Sequence, residues 1–113
     1  MIEAEFLALP VEEQNATVAE ALGWERDTWM WIRGDETRHE PPPYVNGSWA
    51  EFGQMWDALP RWEGQHYTLC EINAGPNGIC YQAWRNGTWF PAHENRNTAV
   101  GMALLVSKDV IEA

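Results

Sequence analysis

The sequence predicts an α+β domain, an antiparallel sheet of three to four strands with helices on both faces, the arrangement of an α/β/α sandwich. Three observations predict it. Apolar residues recur at helical spacing near the start, in the middle and at the end of the chain. Two runs of strand-forming residues, about 66–73 and 79–85, lie close together in the second half. The dipeptide Asn86-Gly87 then follows directly, a strong short-range signal for a tight hairpin. At 113 residues the chain has room for one core, so residues 1–113 are read as a single domain.

Leu9-Pro10-Val11 followed by Val18, Ala19 and Leu22 gives the first helix. Pro10 suits its first turn, Glu12 and Glu13 stand where the helix dipole favours negative charge, and Gly23 supplies the stop. Trp29, Trp31 and Arg33 alternate with Thr28, Met30 and Ile32 as a strand that Gly34-Asp35 ends. Residues from about 34 to 47 read as an irregular insertion containing Pro41-Pro42-Pro43 and Asn46-Gly47.

The second helix opens on a capping box, Ser48 with Glu51, and carries Trp49, Phe52, Trp56 and Leu59 on one stripe, which places Trp49 and Trp56 in the core. Pro60 closes it. Two strands follow, joined by Ala74-Gly75-Pro76-Asn77-Gly78. A type I′ turn at Asn86-Gly87 pairs Arg85 with Thr88 and sets Trp84 opposite Trp89. Cys80, Gln82, Trp84 and Trp89 then share one sheet face, and Tyr81, Ala83 and Phe90 the other. Pro91 keeps the last strand short and at an edge. From Asn97 to about Ile111 the chain is helical by composition, with a narrow face of Val100, Ala103, Leu104 and Ser107, and with small Ala99, Gly101 and Ala103 allowing close approach to the sheet.

Eight tryptophans exceed what a core of this size buries, roughly four or five, so the remainder belong to a ligand or partner surface. Seven basic residues against seventeen acidic ones give a net charge of -10, which argues against direct nucleic-acid binding and against an anionic membrane. Residues 1–51 hold eleven acidic and three basic residues, while residues 52–113 hold six and four, so an anionic ligand is better accepted by the second half. No apolar run is long enough for a signal peptide or a membrane span, and the chain reads as cytoplasmic. Cys70 and Cys80 are then free thiols, too few for a zinc site, and neither a metal nor another cofactor is expected.

Catalytic patterns are missing from the sequence. His39-Glu40 and His93-Glu94 are sequence neighbours that a strand would point to opposite faces, and Ser48 is better explained as a cap than as a nucleophile. The chain is therefore read as a binding protein and not an enzyme. Trp84 and Trp89 offer π faces beside Gln82, with Arg85 and Arg96 near to clamp phosphate or carboxylate. The same face could instead pack under a helix. Trp31 and Arg33, with Trp29, form a similar set, and Tyr44 is either a lid over a site or an anchor of the proline loop.

Phe6-Leu7-Ala8-Leu9-Pro10, leading to Val18-Ala19-Glu20-Ala21-Leu22-Gly23-Trp24, resembles the start of the phage ABA-sandwich family, small tailed-phage and prophage proteins. Asn46-Gly47-Ser48-Trp49, Tyr81-Gln82-Ala83-Trp84, Asn86-Gly87-Thr88-Trp89 and the alanine-rich segment 98–107 are similar to its middle helix and its end. Residues 25–47 depart from that pattern. The resemblance implies helices on both sides of a sheet and an accessory role in the cytoplasm of an infected bacterial host. Two mechanisms fit such a role. One is an oligomeric sponge that sequesters a nucleotide-type immune signal on the Trp84 face. The other is an acidic inhibitor, a DNA mimic or a blocker of a host defence protein. Against mimicry, Glu3, Glu5, Glu12, Glu13 and Glu20 fall on more than one helical face.

Overall fold

The computed structural model describes residues 1–60, 66–73 and 78–112. Trp62 and residues 74–77 of the expected 74–78 connection lie outside them. The element order is α1 (Glu3–Ala8), α2 (Val11–Ala21), β1 (Glu25–Arg26), β2 (Trp31–Arg33), β3 (Glu36–Arg38), α3 (Trp49–Ala58), β4 (Tyr67–Asn73), β5 (Ile79–Arg85), β6 (Thr88–Trp89) and α4 (Arg96–Ser107). The fold is α+β with antiparallel pairing and flanking helices. Its strands are divided between two three-stranded sheets, β1-β2-β3 and β4-β5-β6.

The first sheet contains a strand that the sequence reading left as irregular loop. Arg33 pairs with Glu36 across Gly34-Asp35, and positive φ is confined to Gly34 at +60°, as in a type II′ hairpin turn. All of β3 is exposed, so no apolar alternation marks it, and backbone pairing alone builds it. Strand β2 starts at Trp31. Trp29 lies before it in the loop that returns from β1.

Helix α2 runs from the expected position, with Pro10 as its N-cap and not inside its first turn. It ends in a Schellman turn: Gly23 at φ +93° donates to Glu20 O, and Trp24 N–H donates to Ala19 O. That turn swings Trp24 into the core, where it is almost fully buried. Helix α4 ends the same way with Asp109 at φ +61°, as Asp109 N–H reaches Val106 O and Val110 N–H reaches Leu105 O, which seats Ile111 in the core.

Two helix faces differ from expectation. In α3 the buried residue is Met55, with Phe52 and Trp56 half-buried beside it, and Trp49 is 66% exposed. The capping box explains this: Ser48 accepts from Ala50 N–H while Glu51 reaches back to Ser48 N–H. The cap makes Trp49 the first helical residue, at the solvent end of the stripe. Helix α4 is buried all round from Asn97 to Leu105 and not along a narrow face. No charge falls between Arg96 and Lys108, as a central helix requires. Gly101 faces α2 and α3, not the sheet: a Cβ there would lie 3.5 Å from Met55 and Val18.

The proline segment is fastened by polar side chains. Asn97 Nδ2 donates to Tyr44 O and Ser48 O, and Thr98 Oγ1 donates to Val45 O. From the opposite side, Asn15 accepts from Val45 N–H and donates to Asn46 Oδ1. Gly47 is needed in this web, since a Cβ would collide with Pro43 O and the Glu51 carboxylate. The effect is to lay Pro41–Asn46 against the start of α2.

Between β5 and β6 the register matches the sequence reading. Arg85 pairs with Thr88 and Trp84 with Trp89, with Asn86 at φ +47° and Gly87 at +86° as in a type I′ turn. Ala83 and Phe90 are buried and α4 packs on β5, so the Ala83 face looks inward. His93 is drawn into the fold by a two-way backbone bridge with Tyr81, and its Nδ1 accepts from Asn95 N–H.

Candidate functional site

A cleft of about 620 Å³ lies between the start of α2, the β1–β2 loop and the segment that follows β3. Its lip is Trp29, 83% exposed, the most exposed large apolar side chain described. Local chemistry puts it there. Asp27 N–H donates to Met30 O at 2.8 Å and closes the loop, while Asp27 Oδ1 accepts from Thr28 N–H at 2.7 Å. This four-residue turn breaks the strand alternation, so Trp29 points outward while Trp31, two residues on, is buried.

Glu12 and Glu13 line the cleft from the first turn of α2, Asp27 from the loop and Glu40 from beyond β3. Two arginines answer these four carboxylates. Arg26 is already engaged: it lies 3.8 Å from Glu13 and its guanidinium stacks 4.5 Å above the Trp31 ring. Arg38 donates to Glu40 O. The cleft is thus acidic, with one fully presented indole, a combination that attracts cations through carboxylates and the π face together.

The sequence-predicted site residues fall into four places. Trp84, Trp89 and Gln82 are brought together on one face of the second sheet, the two ring centroids 6.3 Å apart and tilted by 54°. Gln82 Nε2 donates to Phe90 O at 2.9 Å. Arg85 stands on the opposite face, where Nη1 donates to Tyr67 Oη at 2.8 Å and the guanidinium lies over the rings of Tyr67 and Phe90. Arg96 opens α4 and stacks 3.5 Å over the ring of Trp49. Neither arginine therefore joins the two indoles.

Trp31 lines the acidic cleft but is 95% covered. Arg33 stacks 4.6 Å over Trp24 and pairs with Glu36, outside the cleft. Tyr44 resolves as the loop anchor: it is fully buried, accepting from Trp24 Nε1 at 2.9 Å and donating to Gln54 Oε1 at 3.0 Å. Burial pushes its phenol above the ordinary 10.0, against the smaller opposing pull of the Trp24 N–H and the Arg33 charge.

The sequence reading passed over Glu12, Glu13, Arg38 and Glu40 as site residues. The α2 residues are separated from Glu40 by more than two dozen positions, and Asn15, through its bonds to Val45 and Asn46, is what brings the segments together. Among the described residues no group of three or more His, Cys, Asp or Glu could hold a metal ion, and no helix is long and apolar enough to cross a membrane. No protein-family model, curated protein or solved structure matches the chain.

Proposed function

We propose that this protein is a non-enzymatic binding protein that docks a basic segment of a partner protein in the cleft under Trp29. The observation that carries this reading is the pairing of a wholly presented indole with Glu12, Asp27 and Glu40 around a 620 Å³ concavity. A lysine or arginine side chain would place its charge among the carboxylates and its stem against the ring. The acidic first half of the chain would steer a basic partner toward it. The phage-like motifs extend the reading to an accessory protein acting in the cytoplasm of an infected bacterial host, aimed at a defence protein whose basic surface it occupies. Sequestration of a nucleotide-type signal draws less support, because Arg85 and Arg96 are committed away from Trp84 and Trp89.

The test is calorimetric titration with a lysine- and arginine-rich peptide and, separately, with cyclic dinucleotides. The peptide should bind at low salt and weaken as salt rises. Trp29→Ala should weaken it about tenfold, the ~1–2 kcal/mol of a largely desolvated cation–π contact. Cyclic dinucleotide binding that survives Trp29→Ala, with no response to the peptide, would replace this reading by sequestration.

A further inference from the structure

Among the described residues, nothing is packed on one face of the second sheet. Strand register puts Thr68, Cys70 and Ile72 of β4 beside Trp84, Gln82 and Cys80 of β5, with Trp89 of β6 next in the row. Thr68 is exposed, Ile72 is 37% and Trp89 56% exposed, and the other four are only half-buried. An antiparallel sheet that leaves a face to water ordinarily makes that face polar. Here it carries two indoles, an isoleucine and two free thiols, and no ionisable carboxylate or ammonium. The opposite face, by contrast, holds Glu71 and Arg85 along with its buried residues.

We propose that this face is the self-association surface of the protein, occupied by the same face of a second copy. Charge selects the occupant. A chain of net charge -10 repels its own copies most where acidic surfaces meet, and that cost is smallest where the meeting surfaces are both uncharged. A basic partner, the kind the acidic surface would otherwise recruit, finds no carboxylate among the strand residues of this face to pair with. A twofold contact is self-complementary, each indole pair meeting its counterpart, and two stacked sheets approach to about 10 Å, room for interdigitating side chains. The reading is independent of the cleft: the uncharged face is on the second sheet, the cleft beside the first.

The experiment is light-scattering mass over a concentration series from about 5 to 500 µM, high enough to populate a weak dimer. The wild-type mass should rise from 12.9 kDa toward twice that value. Added salt should favour the dimer by screening like charges, the reverse of its effect on peptide binding in the cleft. Alkylation of Cys70 and Cys80 should slow severalfold over the same concentration range, since both thiols stand on the face. Thr68→Glu, which adds charge at an exposed position without removing a packed side chain, should hold the protein at 12.9 kDa with unchanged circular dichroism. Trp89→Glu should do the same from the other margin of the sheet. A wild type that stays at 12.9 kDa throughout overturns the proposal, as does a dimer indifferent to both substitutions.

Discussion

The two sheets have the same strand count and the same antiparallel pairing, yet they are joined to the core by different forces. The second sheet is held by apolar packing, with Ala83, Phe90 and Tyr67 buried and α4 packed on β5. The first is held mainly through its root. Trp24 precedes β1, Arg33 of β2 stacks on Trp24, and the Trp24 indole is hydrogen-bonded to the buried phenol of Tyr44. Beyond Trp31, the first sheet contributes no fully buried side chain. A sheet with so little packed surface is free to present its loop to solvent, and that loop bears Trp29. The second sheet gives up one face to the core and, among the described residues, has its other face left over.

Volume deletion should therefore damage the second sheet most. Phe90→Ala removes a buried ring that stacks on Tyr67 with centroids 5.9 Å apart, and should cost about 3–5 kcal/mol. Denaturant unfolding at neutral pH reads this directly. The loss should be insensitive to alkali, because no titrating group is removed.

Hydrogen-bond deletion should instead loosen the first sheet. Tyr44→Phe keeps the ring but leaves the buried Trp24 N–H without its acceptor, an expected loss of about 1–3 kcal/mol. Its pH dependence separates it from Phe90→Ala. In the folded protein the Tyr44 phenol holds its proton to a higher pH than the 10.0 of the unfolded chain. The stability contributed by that proton is complete below pH 10 and is lost as pH climbs through the raised folded value. The Tyr44→Phe variant lacks this contribution, so its alkaline decline above pH 10 should be shallower than wild type. Equal slopes in the two proteins would mean that the phenol ionises without disturbing the root of the first sheet.

The sheets also differ in how legibly they were written. Asn86-Gly87 specifies a two-residue turn of known hand, and once the turn is placed, the pairings of Arg85 with Thr88 and of Trp84 with Trp89 follow by counting. Gly34-Asp35 carries a comparable signal, but Glu36-Thr37-Arg38 offers no apolar residue to show that a strand resumes. The face of Trp84 and Trp89 was likewise readable from alternation alone. The same alternation puts Arg85, adjacent to Trp84, on the other side, which the sequence reading overlooked. Arg96 is captured by a ring, Trp49, that lies 47 positions away and that no local pattern reveals. The cleft depends on Asn15, Asn97 and Thr98 seizing backbone atoms of 44–48, contacts between residues about thirty to fifty positions apart. No periodicity encodes such contacts. Sequence reasoning recovers what local turns and alternation dictate, and here those determine the second sheet more fully than the first.

The finest distinction between the sheets lies in their turns. In the type I′ turn, Gly87 at φ +86° occupies a left-handed region that asparagine also tolerates. In the type II′ turn, the first central residue combines positive φ with an extended ψ, a region open to glycine almost alone. Gly87→Asn should thus cost only a few tenths of a kcal/mol, whereas Gly34→Asn should cost about 1–2 kcal/mol locally. Because the first sheet is joined to the core mainly at its root, much of the Gly34→Asn strain can be relieved by opening the β2–β3 hairpin alone. Amide exchange should detect that opening at Glu36–Arg38 while the global unfolding midpoint moves little. A Gly34→Asn variant that lowers the global midpoint as much as Phe90→Ala would show instead that the first sheet unfolds with the core, and the contrast between the two sheets would fall.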